Sequence, residues 1–284
     1  MSELAFVRSL KRLAPGIGDD CAILPSPGPE LDLLVTTDMF VRDVHFRLRT
    51  HTAHDVGYIA LARAVSDIAA MGGDPRWYFV SAAFEKKMDA RWRRNFVNGH
   101  ARAAAEFSVS LAGGDTSHSA VFACDITVIG TVPRGQAIAR SGARPGDFVY
   151  VSGLLGRAAV KLRSGKPCYP APRLSLGRFL RGKATACMDL SDGLSTDLHR
   201  LTLESGVAAR LVMEPPGAKG STFEDTVHGG EDYELLFTAP RGLELPVKQD
   251  GIPLTRIGTI VEGRAGSVMA WGEPLRPSGY DHLS

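Results

Sequence analysis

Ala143-Arg144-Pro145-Gly146-Asp147-Phe148-Val149-Tyr150-Val151-Ser152 decides the fold. A Pro-Gly-Asp turn runs straight into an aromatic and β-branched strand, and Gly153 to Gly156 then open a helix. A turn and restart of this kind in mid-chain marks a domain boundary, placed between residues 138 and 146. Towards the N-terminus, residues 31–37 read as a strand that leads into a strand-end Asp38. Residues 53–71 read as a helix opened by Thr52 and Asp55, a capping box. A second helix, 88–107, carries Trp92, Phe96, Ala103 and Phe107 on one side. Strands follow at 108–112 and 122–132, separated by Gly113-Gly114-Asp115-Thr116. An amphipathic segment (Leu4, Phe6, Val7, Leu10) and a turn-rich stretch over 15–21 precede them all. Beyond the boundary, further strands read at 184–189, 207–213, 232–238, 254–261 and 267–271, with a helix near 194–205. Strands and helices mix without strict βαβ alternation and without repeats. The expectation is an α+β fold in two domains, 1–138 and 139–284.

The chain's 284 residues are enough for two such domains. Lys and Arg total 33 against 31 Asp and Glu, so no basic excess exists to hold a nucleic-acid backbone. No apolar run approaches the roughly 18–20 residues of a membrane span, and the N-terminus does not read as a secretion signal. A cytoplasmic protein without nucleic-acid or membrane partners is expected. Cys21, Cys124, Cys168 and Cys187 form no CxxC pair, and the histidines form no HExxH. Any metal must therefore be held mainly by carboxylate oxygens.

Acidic residues recur beside glycine or small hydroxyl residues in six stretches: Gly18-Asp19-Asp20, Thr36-Thr37-Asp38, Ser66-Asp67, Gly113-Gly114-Asp115-Thr116, Asp189-Leu190-Ser191-Asp192-Gly193 and Gly229-Gly230-Glu231-Asp232. Magnesium takes oxygen ligands and usually bridges one or two carboxylates to substrate phosphates. One Asp-Gly pair is ordinary turn chemistry, but six acidic stretches together favour metal-assisted phosphate handling. Asp67 is the most informative residue. On a helix it lies only ~20° from Val56, in the middle of the apolar face, where a lone carboxylate is costly. Its partner is either Arg63, four residues earlier, or a metal ion, and spacing alone leaves the two even. His45 is placed to reach the cleft of Asp38 or to serve as a packing residue, and Arg140 to clamp a phosphate or cap a loop. Two near-matches to nucleotide motifs fail: Gly16-Ile17-Gly18 lacks its third glycine, and Ala184 replaces the hydroxyl residue that a Walker-type loop needs.

With these residues in view, the sequence resembles the thiamine-monophosphate kinase family. The resemblance rests on Gly16-Ile17-Gly18-Asp19-Asp20-Cys21-Ala22, on Thr36-Thr37-Asp38 with Val44-His45-Phe46, and on residues 66–72. It continues through Gly113–Thr116, Asp189–Leu194, Gly229–Glu234 and Gly279-Tyr280-Asp281-His282, in the family's order and over almost the whole chain. It implies a homodimer whose N-terminal sheets pair into a barrel, with a sandwich-like α/β C-terminal domain. It also implies magnesium-dependent transfer of the γ-phosphoryl group of ATP directly to thiamine monophosphate, without a phosphoenzyme. Carried over by motif, Asp20, Thr36, Thr37, Asp38, Asp67, Asp115, Asp189 and Asp192 would bind several Mg2+ ions. Gly114, Asp115, Arg140 and Ser191 would contact ATP. His45, Glu231, Pro277 and Tyr280 would face the thiamine moiety.

Three features depart from the family pattern. Residues 157–185 are shorter than usual, with Arg157 after Gly156; Arg63-Ala64 stands where the family tends to read Val-Asn; and Pro277 replaces an aromatic residue. The competing readings are another ATP-using member of the superfamily and a non-catalytic scaffold of the same fold. Cys21 follows the aspartate pair rather than a reactive glycine-rich N-terminus, and the chain ends His282-Leu283-Ser284 without a terminal cysteine.

Overall fold

The computed structural model describes residues 19–26 and 28–279. Residues 4–10, Gly16, Gly18 and Tyr280 lie outside the described residues.

The first sheet contains β1 (Ala22–Pro25), β2 (Leu31–Val41), β3 (Asp74–Phe84), β4 (Ser110–His118) and β5 (Ala123–Pro133), in the order β1-β2-β5-β3-β4. Only the β3–β4 pair is parallel among these. Alternation sets its two faces. Cys124, Ile126 and Val128 of β5 and Leu34, Thr36 and Phe40 of β2 point inward and are buried. They pack under α1 (Ala53–Ala70) and α2 (Ala90–Phe107).

Two strand readings are corrected. β2 does not stop at Thr37 but pairs with β5 from Leu31 to Val41, because Phe40 continues the inward alternation into the core. Asp38 is therefore an interior strand residue. Gly113-Gly114-Asp115-Thr116 is likewise no turn; it lies within β4, with Gly114 opposite Val80 and Asp115 opposite Ser81. A Cβ on Gly114 would come 2.0 Å from the Val80 carbonyl oxygen, so the glycine permits close pairing at this edge.

α1 organises the molecule. Thr52 and Asp55 form the expected capping box: Asp55 N donates to Thr52 Oγ1 at 3.2 Å, and Thr52 N donates to Asp55 Oδ2 at 2.8 Å. Alanine at 53, 60, 62, 64, 69 and 70 favours the helix and keeps its flanks slim. The helix is buried almost all round, as expected of one packed on several sides. Its contact with α2 is close: Cβ atoms added to Gly57 or Gly99 would fall 2.1 Å from the carbonyl oxygens of Phe96 and His54.

The second sheet runs β13-β12-β8-β11-β6-β9-β7, with β10 also on β11. Its strands are β6 (Phe148–Ser152), β7 (Ala186–Asp189), β8 (Ala208–Leu211), β9 (Leu235–Ala239), β10 (Lys248–Gln249), β11 (Ile252–Val261), β12 (Val268–Ala270) and β13 (Glu273–Pro274). Its helices are α3 (Arg157–Arg163), α4 (Leu174–Leu180), α5 (Leu194–Glu204) and α6 (Phe223–His228). Leu194, Leu198 and Leu201 of α5 cover one face with Met188 and Leu236. Leu176 and Leu180 of α4 cover the other with Cys187, Leu235, Phe237 and Ala70 from the end of α1. Burial on both faces explains the unbroken apolar runs 186–188 and 235–237. α1 thus packs on the first sheet along its length and meets the second at its C-terminal end. No described helix is long and apolar enough to cross a membrane.

His100 on α2 is 4% exposed, stacks on Tyr78 at 5.8 Å and meets Phe96 edge-on at 4.5 Å. Neither ring nitrogen has a hydrogen-bond partner. Burial pushes its pKa down to about 4 from 6.5. The unfolded chain then takes a proton at mildly acid pH that the folded chain refuses, so stability falls as pH drops from 6.5 towards 4. Urea unfolding at pH 7 and pH 5 should show His100 losing about 2 kcal/mol more than a His100→Leu variant over that interval. Parallel profiles would mean that the imidazole is hydrated or paired.

Candidate active site

Four pieces of chain converge where α1 meets both sheets: residues 19–20, the middle of β2, one face of α1, and the loop after β7. They line a cavity of about 830 Å³. Of the residues singled out in the sequence, Asp20, Thr36, Thr37, Asp38, His45, Asp67, Arg140, Asp189, Ser191, Asp192 and Glu231 line it together. Three others do not. Gly114 and Asp115 sit on edge strand β4, three strands from β2 or about 14 Å at ordinary strand spacing. Asp115 is exposed, and its Oδ1 accepts from Thr116 N at 2.8 Å. Pro277 is exposed outside the cavity, on a C-terminal stretch docked to α5 by Gly279 N donating to Thr196 Oγ1 at 2.9 Å.

The deepest feature is a trio of carboxylates. One oxygen each from Asp20, Asp67 and Asp189 lie within 4.8 Å of one another. Asp20 Oδ2 and Asp189 Oδ2 are buried without any hydrogen-bond partner. The other oxygen of Asp20 is held by Arg140 Nη2. Thr36 Oγ1 donates to Asp67 Oδ2. Burial, then repulsion from Asp189, Asp20 and Asp38, pushes the Asp67 carboxyl well above the usual range. Burial and then Asp20 do the same to Asp189. Burial also raises Asp20, against the opposing pull of Arg140. An all-oxygen set with two orphaned buried oxygens is the chemistry of a hard divalent cation.

Arg63 does not take the partner allowed by helix spacing. Its Nε and Nη2 meet the two oxygens of Asp38 at 3.1 and 3.3 Å, and Nη1 reaches Glu231 at 3.4 Å. The salt-bridge reading of Asp67 is therefore overturned: Asp38, offered from β2, fits the guanidinium fork on two sides. Thr37 reaches the cavity lining, but strand alternation turns its hydroxyl away from the other candidates. Its hydroxyl donates to Asp125 at 2.6 Å on the opposite face of the sheet.

Loops set the remaining groups. Asp232 caps α3, accepting from Ala158 N at 3.0 Å and from Gly156 N. Glu231 and Tyr233 on either side adopt left-handed φ of 66° and 53°, uncommon for residues with a side chain. Both approach Arg63. His45 Nδ1 accepts from Val41 N at 3.0 Å, which leaves the proton of the neutral ring on Nε2.

The sequence reading missed Asp197 and Arg200. Asp197 accepts from Asp192 N and Gly193 N at 3.0 and 3.1 Å, so it shapes the loop that presents Ser191 and Asp192. Burial pushes its pKa up to about 7. An acid in the first turn of α5 after a glycine was a readable signal. Arg200 pairs with Asp192, and nothing in its spacing singled it out.

Among the described residues no side chain is set up as a covalent nucleophile. Ser195 Oγ lies 2.7 Å from His228 Nδ1, with Glu224 3.7 Å beyond, but Ser195 is 0% exposed and therefore structural. Cys168 lines the cavity, and burial raises its thiol.

A cleft of clustered carboxylates beside a glycine-rich fold has counterparts among known proteins. Residues 18–132 match the family model of the AIR synthase related protein, N-terminal domain. Thiamine-monophosphate kinase of Escherichia coli (strain K12) is 34% identical, with 95% of this chain and 92% of that protein covered. The Bacillus subtilis (strain 168) kinase is also 34% identical, with 94% and 93% covered. The chain belongs to the thiamine-monophosphate kinase family. Among solved structures, "AaThiL complexed with AMPPCP and TMP" superposes with a TM-score of 0.88 at 30% identity, covering 99% of this chain and 97% of that one. The hydrogenase maturation protein HypE in complex with ATP shares the fold, with a TM-score of 0.71 at 22% identity.

Asp67→Asn removes one charge from a crowded, buried carboxylate set while keeping an oxygen for Thr36. In chelator at pH 7 it should raise Tm by roughly 2–4 °C, the effect of about 1 kcal/mol in a chain of this size. A drop in Tm, the signature of a lost structural ion pair, would show that Asp67 has a cationic protein partner.

Proposed function

We propose that this chain is the kinase that transfers the γ-phosphoryl group of ATP to thiamine monophosphate, giving thiamine diphosphate. The observation that carries the reading is the trio Asp20, Asp67 and Asp189 at the meeting point of the two sheets, in a chain that matches such kinases over nearly its whole length. The oxygen-only donor set suits Mg2+, with Asp20, Asp67 and Asp189 as its holders and Thr36 and Asp192 as further candidates on the same cavity. When bound, Mg2+ would offset the charge of the two polyanionic substrates and help align them.

The protein's own groups supply position. Arg140, fixed against Asp20, would meet a nucleotide phosphate, as would Ser191 on the same cavity lining. His45 and Glu231 line the same cavity, and the acceptor's ring system would sit against them. With Ser195 buried and the Cys168 thiol raised, direct transfer between phosphates is the simplest route.

The reading extends to assembly. We infer two domains, 1–138 and 139–284, and a homodimer built on the first sheet. Its open face carries Met39, Trp77 and Phe79 at 56%, 48% and 37% exposure, unlike the polar outer face of a solvated sheet. A second copy covering that face would form the barrel, and Gly114 and Asp115 on β4 would lie at its edge. Sedimentation at micromolar concentration should give twice the chain mass, and Trp77→Glu should shift it to monomer; a monomeric, fully active wild type removes the dimer from the proposal.

Free thiamine lacks the phosphate oxygen that attacks the γ-phosphorus. Rates measured against free Mg2+ at saturating MgATP should rise with thiamine monophosphate and stay near zero with thiamine. Efficient phosphorylation of thiamine would overturn the acceptor assignment, and no dependence beyond MgATP formation would overturn the multi-metal site.

A further inference from the structure

Of the arginines that line the cavity, three are paired with a carboxylate of the cleft: Arg140 with Asp20, Arg200 with Asp192, and Arg63 with Asp38. Arg63 is the most enclosed. It is 7% exposed, and its edges contact two carboxylates, both oxygens of Asp38 and Oε1 of Glu231. Aromatic rings lie near it as well, with its Cζ 5.0 Å from the Phe40 centroid and 5.8 Å from that of Tyr233. Asp67, one turn further along the same face of α1, is left to the trio.

We propose that Arg63 is a resident cation at the acceptor end of the site. It occupies the position on Asp38 that a divalent ion would otherwise take, and it links Asp38 on the first sheet to Glu231 on the loop before β9. This rests on the reading of the cleft as a metal-assisted phosphate site. The two carboxylate oxygens of Asp38 are engaged by a fork that stays charged at every working pH. A magnesium ion binds at about 2.0–2.1 Å and would have to approach one of those oxygens directly beside a like-charged group in a partly dry pocket. Flanking aromatic rings favour the weakly hydrated guanidinium and offer a magnesium ion no ligand. In the substrate-free protein the two cation positions are therefore separate: metal at Asp20, Asp67 and Asp189, and arginine at Asp38 and Glu231. Arg63 acts as a positioning residue, holding the Glu231 loop against β2 and reducing the number of divalent ions that the empty site takes up.

The test uses the full chain without nucleotide. With 15N-labelled arginine, and Arg63→Lys to assign the signal, the Arg63 Nε–H resonance should be protected from solvent and stay in place through a Mg2+ titration. Its loss or a large shift as Mg2+ saturates would show that metal displaces the guanidinium and would overturn the proposal. In parallel, electron paramagnetic resonance with Mn2+ should find an additional class of site in Arg63→Met that is absent from the wild type and removed again by Asp38→Asn in the same background. A folded Arg63→Met protein with the wild-type Mn2+ stoichiometry would also overturn it; if that variant does not fold, the resonance of the wild type decides. Failure of the underlying metal reading is seen separately, as Mn2+ binding that Asp67→Asn leaves unchanged.

Discussion

Carboxylates that repel one another cannot share a buried corner unless the surrounding fold holds them there. Asp20, Asp67 and Asp189 come from three separate parts of the chain, yet one oxygen of each lies within 4.8 Å of the others. The hydrophobic packing of α1 holds this arrangement. Its alanine-rich sides let β2, β5 and α2 approach closely, and Ala70 at its end joins the core under the second sheet. Burying that helix on several sides stabilises the fold enough to tolerate a local electrostatic cost. A local cost of this kind is what the proposed cation would relieve.

The charge around it is distributed unevenly. Guanidiniums take Asp20 from one side, Asp192 from another and Asp38 from a third, whereas Asp67 and Asp189 have no cationic side chain on them among the described residues. Positive charge from the protein therefore surrounds the trio without filling it. The loops that bring these groups in are braced by buried acids: Asp197 holds the turn after β7, and Asp232 caps α3. Neither acid lines the cavity, but both fix the backbone that carries Ser191, Asp192 and Glu231 to it.

Much of this was legible in the sequence because local chemistry decided it. The Thr52–Asp55 box, the period of α1 and the Pro145-Gly146-Asp147 restart are short-range signals, and the structure realises each. The need of Asp67 for a cation was legible too, from its place on an apolar face, though not which cation. What escaped depended on partners distant in sequence. Helix spacing allowed Arg63 to pair with Asp67, but β2 delivers a carboxylate that fits both arms of the fork. Gly113-Gly114-Asp115-Thr116 has turn composition, yet its pairing with β3 makes it strand. Thr37 sits between Thr36 and Asp38 in sequence, and the alternation of an extended chain sends it to the other face.

Anomalous scattering from a crystal soaked in Mn2+ would locate the cation without reference to turnover. The strongest peak should lie among Asp20, Asp67 and Asp189, within bonding distance of an oxygen from each. An empty trio in a crystal that binds Mn2+ elsewhere would contradict the assignment of that corner as a cation site.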